Sequence, residues 1–217
     1  MFKRMTRLRV AALVGGLLLT SACTAQSGTP PPYTEGSEYV TLPGPHQRYS
    51  SEGKVEVVEV FSYDCIHCAH FAPMAEKLRK ELPAGVVFKL VPAAFNSSWI
   101  PFARAYYAAK QLGVVDRTHL QLFVAKFAQH YPINSMDELA DFYAREGVDR
   151  AKFMRIATSD EVTAKLKSDF ALVSKWQVDG TPSIVVDGKY RITNVKTQDE
   201  LAAVALWLAK RELSNHK

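Results

Sequence analysis

The sequence predicts an α/β protein, a central sheet flanked by helices, with an α-helical insertion over residues 98–172. Three observations predict it. A β-branched run, Val55–Phe61, passes directly into apolar residues at helical spacing. A long stretch of helical segments with their own start and stop signals then intervenes. Strand, two-residue turn, strand and a last amphipathic helix complete the chain. With 217 residues, 47% of them hydrophobic, the chain can build a real core, and a charged fraction of 23% argues against disorder.

The first residues read as a targeting signal. Lys3, Arg4, Arg7 and Arg9 precede an apolar run, Val10–Leu19, and then the small residues Thr20, Ser21 and Ala22. A charged start, a short apolar core and a small-residue cleavage zone make a secretory signal over residues 1–22, too short to span a bilayer comfortably. These four charges also account for most of the net charge of +5. The remainder holds 23 basic against 22 acidic residues, so no nucleic-acid face is implied. Leu19-Thr20-Ser21-Ala22-Cys23 resembles a bacterial lipobox, which makes Cys23 the expected lipidation site, although Thr20 stands where Leu is usual. Residues 23–36, rich in Pro, Gly, Ser and Thr, read as a flexible tether holding a periplasmic domain off the membrane.

Val55–Phe61 is the first strand expected. Phe71, Met74, Ala75, Leu78 and Leu82 then mark a helix from Cys65 to Leu82, with Pro73 expected to kink it. Val86–Val91 is a second strand. Helices follow over Trp99–Leu112, Asp116–His130, from the capping box Ser135-Met136-Asp137-Glu138 to near Gly147, and from Thr158-Ser159-Asp160-Glu161 to about Trp176. Ser183–Val186 is a strand, Asp187-Gly188 a hairpin signal, and Tyr190–Thr193 the return strand. Thr197-Gln198-Asp199-Glu200 opens a last helix over 198–213. Residues 37–97 and 173–217 would form the α/β domain. Tyr106, Tyr107, Phe123 and Phe127 are most simply the core of the insertion.

Three cysteines are present. Cys23 belongs to the export signal, which leaves Cys65-Ile66-His67-Cys68. A disulfide here closes so short a loop that it removes little entropy from the unfolded chain, so reactivity is the better explanation of the pair. A structural zinc site needs a second ligand pair, and covalent haem needs His after the second Cys, where Ala69 stands; no metal or cofactor is expected beyond the redox-active disulfide. At a helix start, free N–H groups and the macrodipole stabilise the Cys65 thiolate, and His67 would add to this if protonated or donating. Cys65 is then the attacked cysteine, and Cys68, one turn in and more buried, resolves.

The strand, Phe61, the CxxC at the helix start, the helical block, and Gly180-Thr181-Pro182 before the hairpin resemble the thioredoxin superfamily, and within it the DsbA-like dithiol oxidases. The resemblance covers roughly residues 37–217. It implies the thioredoxin fold with a central mixed sheet, a cis Thr181–Pro182 bond beside the cysteines, strand-like pairing of substrate backbone at Thr181, and a shallow apolar groove that includes Ile66. It implies a buried acid at Glu59 that assists proton transfer at the resolving cysteine. Lys89 is a candidate partner for Glu59, and Glu56 is read as sharing its side of the strand. His70 is read as an exposed helix position, and His46, His119 and His130 have no assignable partner. Two positions depart from the family pattern: Ile66 replaces the usual Pro, and Thr181 a frequent Val.

The expected activity is thiol–disulfide interchange: donation of the Cys65–Cys68 disulfide to exported proteins with free thiols. The expected partners are those substrates and a quinone-linked membrane reoxidant of the DsbB type, with no nucleic acid. The chain would act as a monomer on the periplasmic side, held by lipid at Cys23. An exported reductase or isomerase, kept reduced by a membrane donor, is the competing enzyme reading; a chaperone-like lipoprotein that only binds its partner is the competing non-enzyme reading.

Overall fold

The computed structural model describes residues 31–216, so the signal segment and Cys23 lie outside the described residues. Five strands, β1 (Tyr39–Thr41), β2 (Val55–Phe61), β3 (Val86–Pro92), β4 (Ser183–Val186) and β5 (Tyr190–Ile192), form one mixed sheet in the order β1-β5-β4-β2-β3. β2 and β3 are parallel; the other neighbours are antiparallel. Helix α1 (Ile66–Glu81) connects β2 to β3 and runs unbroken through Pro73. Helices α2 (Ile100–Gln111), α3 (Val115–Phe123), α4 (Met136–Arg145), α5 (Arg150–Ala157) and α6 (Asp160–Lys175) form the insertion, and α7 (Gln198–Asn215) returns to the sheet. A π-helical turn, Val124–Ala128, extends α3, with Gln129 N–H donating to Val124 O at 2.9 Å.

β2 is buried along its whole length, which explains its near-continuous apolar run. Its valines divide between two cores. Val57 packs with Phe71, Leu78, Ile184, Val204 and Leu208 under α1 and α7. Val58 and Val60 pack with Val91, Val185, Leu172, Val173 and Trp176 under the end of α6. A third core fills the helical domain with Phe102, Tyr106, Leu122, Leu139, Tyr143 and Phe153. It also takes in Phe61, Tyr63, Cys65 and Cys68 from the end of β2 and the start of α1. The redox pair thus sits at the seam between the sheet domain and the insertion.

The start signals function as read. Ser135 Oγ accepts from Glu138 N–H at 3.2 Å and Thr197 Oγ1 from Glu200 N–H at 3.1 Å. At Thr158-Ser159 the cap is Ser159, because Thr158 closes α5, a helix the sequence reading passed over. At the hairpin Asp187 and Gly188 both take positive φ (54° and 62°), and a Cβ on Gly188 would lie 2.2 Å from Gln47 O.

Several expectations need correction. Tyr33 packs edge-to-face on Trp207 at 5.6 Å and Gly36 N–H donates to Tyr39 O at 2.8 Å, so residues 33–36 belong to the fold and not to the tether. β1 was not anticipated. The boundary at residue 172 falls inside α6, whose last turns cover the sheet. Glu56 and Glu59, three residues apart, point to opposite faces by the two-residue alternation of a strand. Glu56 instead accepts hydrogen bonds from Tyr49 N–H and, at 3.0 Å, from Ser50 N–H, tying down the loop before β2.

Candidate active site

β2 ends at Phe61, and Ser62, Tyr63 and Asp64 turn the chain into α1. Asp64 N–H donates to Ser62 Oγ and Cys65 N–H to Ser62 O, both at 3.1 Å. Cys65 is the N-cap of α1 in an extended conformation, and its carbonyl accepts the first helical bond, from Ala69 N–H at 3.1 Å. The first turn carries no acidic residue. The sulfur of Cys65 therefore lies among unpaired amides with nothing on the helix to compete for them. Cys65 is 8% exposed, whereas Cys68 is fully buried.

This arrangement separates the two thiols. The Cys65 thiol is held down to about 5, chiefly by a hydrogen bond from Cys68; burial opposes the shift, and the Thr181 side chain and the N–H groups of Cys68 and His67 add to it. Burial pushes the Cys68 thiol up, as do its hydrogen bond to Cys65 and the nearby Glu59. Thr181–Pro182 is a cis peptide bond, and the Cys65 thiol donates to Thr181 O at 3.4 Å. The Thr181 hydroxyl is buried with no partner in the hydrogen-bond geometry of the described residues, which leaves it free to donate to a thiolate. The structure thus brings Cys65, Cys68, Thr181 and Pro182 together, as the resemblance implied.

His67 enters differently from expectation. Its side chain is exposed, and it is its backbone N–H that lowers the Cys65 thiol. Its carbonyl accepts from Gln198 Nε2 at 2.8 Å, which ties the active-site turn to the start of α7. His70 is exposed on the next turn.

Glu59 is 2% exposed, and its Oε2 has no hydrogen-bond partner among the described residues. Burial, with the Cys65 charge second, raises its carboxyl to about 8, so it is largely protonated at neutral pH. It lines a cavity of about 290 Å³ between α1 and α3 with Ala72, Glu76, Leu90, Asp116 and His119. The expected Lys89–Glu59 pair does not form. Lys89 stands opposite Val58 in the β2–β3 register and so faces away from Glu59; it pairs with Glu52 instead.

Ile66 is 39% exposed at one end of an apolar trough of about 320 Å³, lined also by Ala69, Pro73, Leu120, Phe123 and Val124. Two neighbours of the site went unread in the sequence. His119, for which no partner was assignable, bonds through Nδ1 to the Tyr63 hydroxyl at 2.9 Å among Phe61, Tyr63 and Phe123, and burial lowers it to about 4. Lys126, on the π-helical turn, forms an ion pair with Asp64 at 3.0 Å. Asp64 beside the CxxC was a visible signal, but nothing in the sequence joins it to a residue so far along the chain.

The comparisons agree with this geometry. The family described as a DSBA-like thioredoxin domain matches residues 83–205, a span that holds the whole insertion and the Thr181–Pro182 hairpin and begins after the cysteines. A thiol:disulfide interchange protein DsbA of Pseudomonas aeruginosa is 35% identical over 182 residues, 83% of this chain and 86% of that protein. The protein of the same description from Bordetella pertussis is 32% identical over 197 residues, 91% of this chain and 90% of its own length. Among solved structures, the oxidoreductase DsbA of Xylella fastidiosa superposes with a TM-score of 0.79 at 37% identity, over 84% of this chain and 98% of that one. With a mixed sheet, a helical insertion and a CxxC at a helix start, the chain belongs to the DsbA-like thioredoxin family and is a thiol:disulfide oxidoreductase.

Proposed function

We propose that this chain is an exported dithiol oxidase that donates the Cys65–Cys68 disulfide to folding proteins. A substrate thiolate attacks the sulfur of Cys65; the S–S bond breaks and Cys68 leaves as a thiolate, which takes a proton through Glu59. A second substrate thiolate then attacks the substrate sulfur of the mixed disulfide. The substrate disulfide forms, Cys65 leaves as a thiolate, and the pair is left reduced by two electrons. Thr181, preceding the cis proline, pairs with the backbone of the extended substrate, and the trough at Ile66 accepts its apolar side chains. The reduced pair must then return its two electrons to an oxidant, and the family resemblance points to a quinone-linked membrane partner of the DsbB type. The basic and apolar N-terminus supports export to the periplasm, with lipid at Cys23.

The observation that carries this reading is the placement of Cys65 at the N-terminus of α1, 3.4 Å from Thr181 O and beside a fully buried Cys68, an arrangement that lowers the Cys65 thiol. Each unit by which the Cys65 thiol falls below ambient pH stabilises the reduced form by about 1.4 kcal/mol, roughly 30 mV toward oxidising strength. Low proton affinity also makes Cys65 a good leaving group. The direct test mixes the oxidised protein with a reduced, unfolded substrate protein. One substrate disulfide per enzyme is expected; reduced Cys68→Ser, mixed instead with a disulfide-bonded protein, should accumulate a mixed disulfide at Cys65, its thiolate displacing one substrate thiolate with no second cysteine left to resolve the bond. Rapid reduction of substrate disulfides by the dithiol form, without net oxidation of reduced substrate, would favour a reductase instead.

A further inference from the structure

The ion pair at the start of α1 joins two domains at the reactive cysteine. Lys126 projects from the π-helical turn, and such turns recur at functional positions. Its ammonium is held from several sides. It donates to Ile133 O at 2.7 Å and Asn134 Oδ1 at 3.2 Å, lies 4.7 Å from the centre of the Phe102 ring, and is 10% exposed. Lys126 is therefore a fixed point, and the Asp64 carboxylate comes to it.

Asp64 immediately precedes the N-cap. A carboxylate beside a helix start is attracted by the free amides and dipole of the first turn. Here those amides, of His67 and Cys68, are the ones that donate to the Cys65 thiolate. An unrestrained Asp64 would compete for them and bring a like charge toward the sulfur. The other titratable groups around this sulfur are Cys68 on α1 and Glu59 on β2.

We propose that Lys126 is a positioning residue of the redox centre: by holding Asp64 it reserves the first-turn amides of α1 for Cys65 and so sets the oxidising strength of the disulfide. The inference rests on the thiol–disulfide reading of the pair and extends its control to the helical insertion.

The test follows the thiolate by its ultraviolet absorbance against pH, and the glutathione equilibrium, in four proteins: wild type, Lys126→Met, Asp64→Ala and the double variant. Lys126→Met should raise the apparent Cys65 value by about half a unit to one unit and make the couple threefold to tenfold less oxidising, about 15–30 mV. Lys126→Arg should stay near wild type. In the Asp64→Ala background, Lys126→Met should have little effect, because the competitor is gone. Lys126→Gln carries the same expectation as the methionine variant should the latter not fold. An equal shift in both backgrounds, or none in either, would overturn the proposal. The wild-type potential tests the oxidase reading separately: the four-protein comparison holds whether that couple proves oxidising or reducing.

Discussion

At the residue scale, the site turns on three buried or half-buried acids with very different environments: Cys65, Cys68 and Glu59. Glu59 has the clearest consequence for stability. Its folded value, about 8, lies above its ordinary 4.5 because the carboxylate is desolvated. The folded state therefore binds more protons than the unfolded state between those values, and Glu59 costs stability progressively as pH rises from 4.5 to 8. Glu59→Gln should raise the melting temperature more at pH 8 than at pH 5; an equal gain at both would contradict the burial argument. Cys65 acts in the opposite sense. Its folded value, about 5, lies below its ordinary 9, so the reduced protein gains stability as pH rises from 5 to 9 and loses it on acidification. Denaturant unfolding of the reduced and oxidised forms should show the advantage of the reduced form shrinking as pH falls toward 5. The cysteines were legible because their chemistry depends on local spacing, whereas Thr181 and Pro182 were legible only through the family resemblance. The Lys89–Glu59 pairing was misjudged because it depends on register: Lys89 opposes Val58, so the two charges point to opposite faces of the sheet.

At the element scale, the start signals were the most readable features, since a cap is closed within four residues. Ser135 and Thr197 both cap as read. Ser135→Ala should lower stability by about 1 kcal/mol in urea unfolding, with the thiolate titration unchanged. A loss of redox activity beyond the loss of stability would contradict a purely structural role. β1 was not legible because three residues carry too little periodicity; its placement comes from pairing with β5, a tertiary fact. α5 was missed because its start signal, Asp149, sits only two residues beyond the stop at Gly147. The π-helical turn leaves no sequence signature at all, yet it presents Lys126 to the active-site turn.

At the scale of the whole molecule, the seam between sheet and insertion explains why a short CxxC becomes reactive. The sheet domain supplies the helix start and the cis proline, while the helical domain buries Cys68 and steadies Asp64. This two-part construction was visible in the order of elements, but the seam itself was not, because it is made by residues far apart in the chain. The proposed N-terminal export signal bears on where the proposed oxidant would work. Labelled fatty acid should enter the full-length protein in bacterial cells and be lost in Cys23→Ser, with the protein shifting to the soluble periplasmic fraction. No label in the unsubstituted protein would leave ordinary signal cleavage as the export route. The central claim, that the fold holds Cys65 as a thiolate so that its disulfide oxidises other proteins, meets its most direct test in the equilibrium of the purified domain with glutathione buffers, read by trapping free thiols. The account predicts a potential well above the glutathione couple. A value near that of cytosolic thioredoxin, about −270 mV, would contradict it and point to an electron donor in place of a reoxidant.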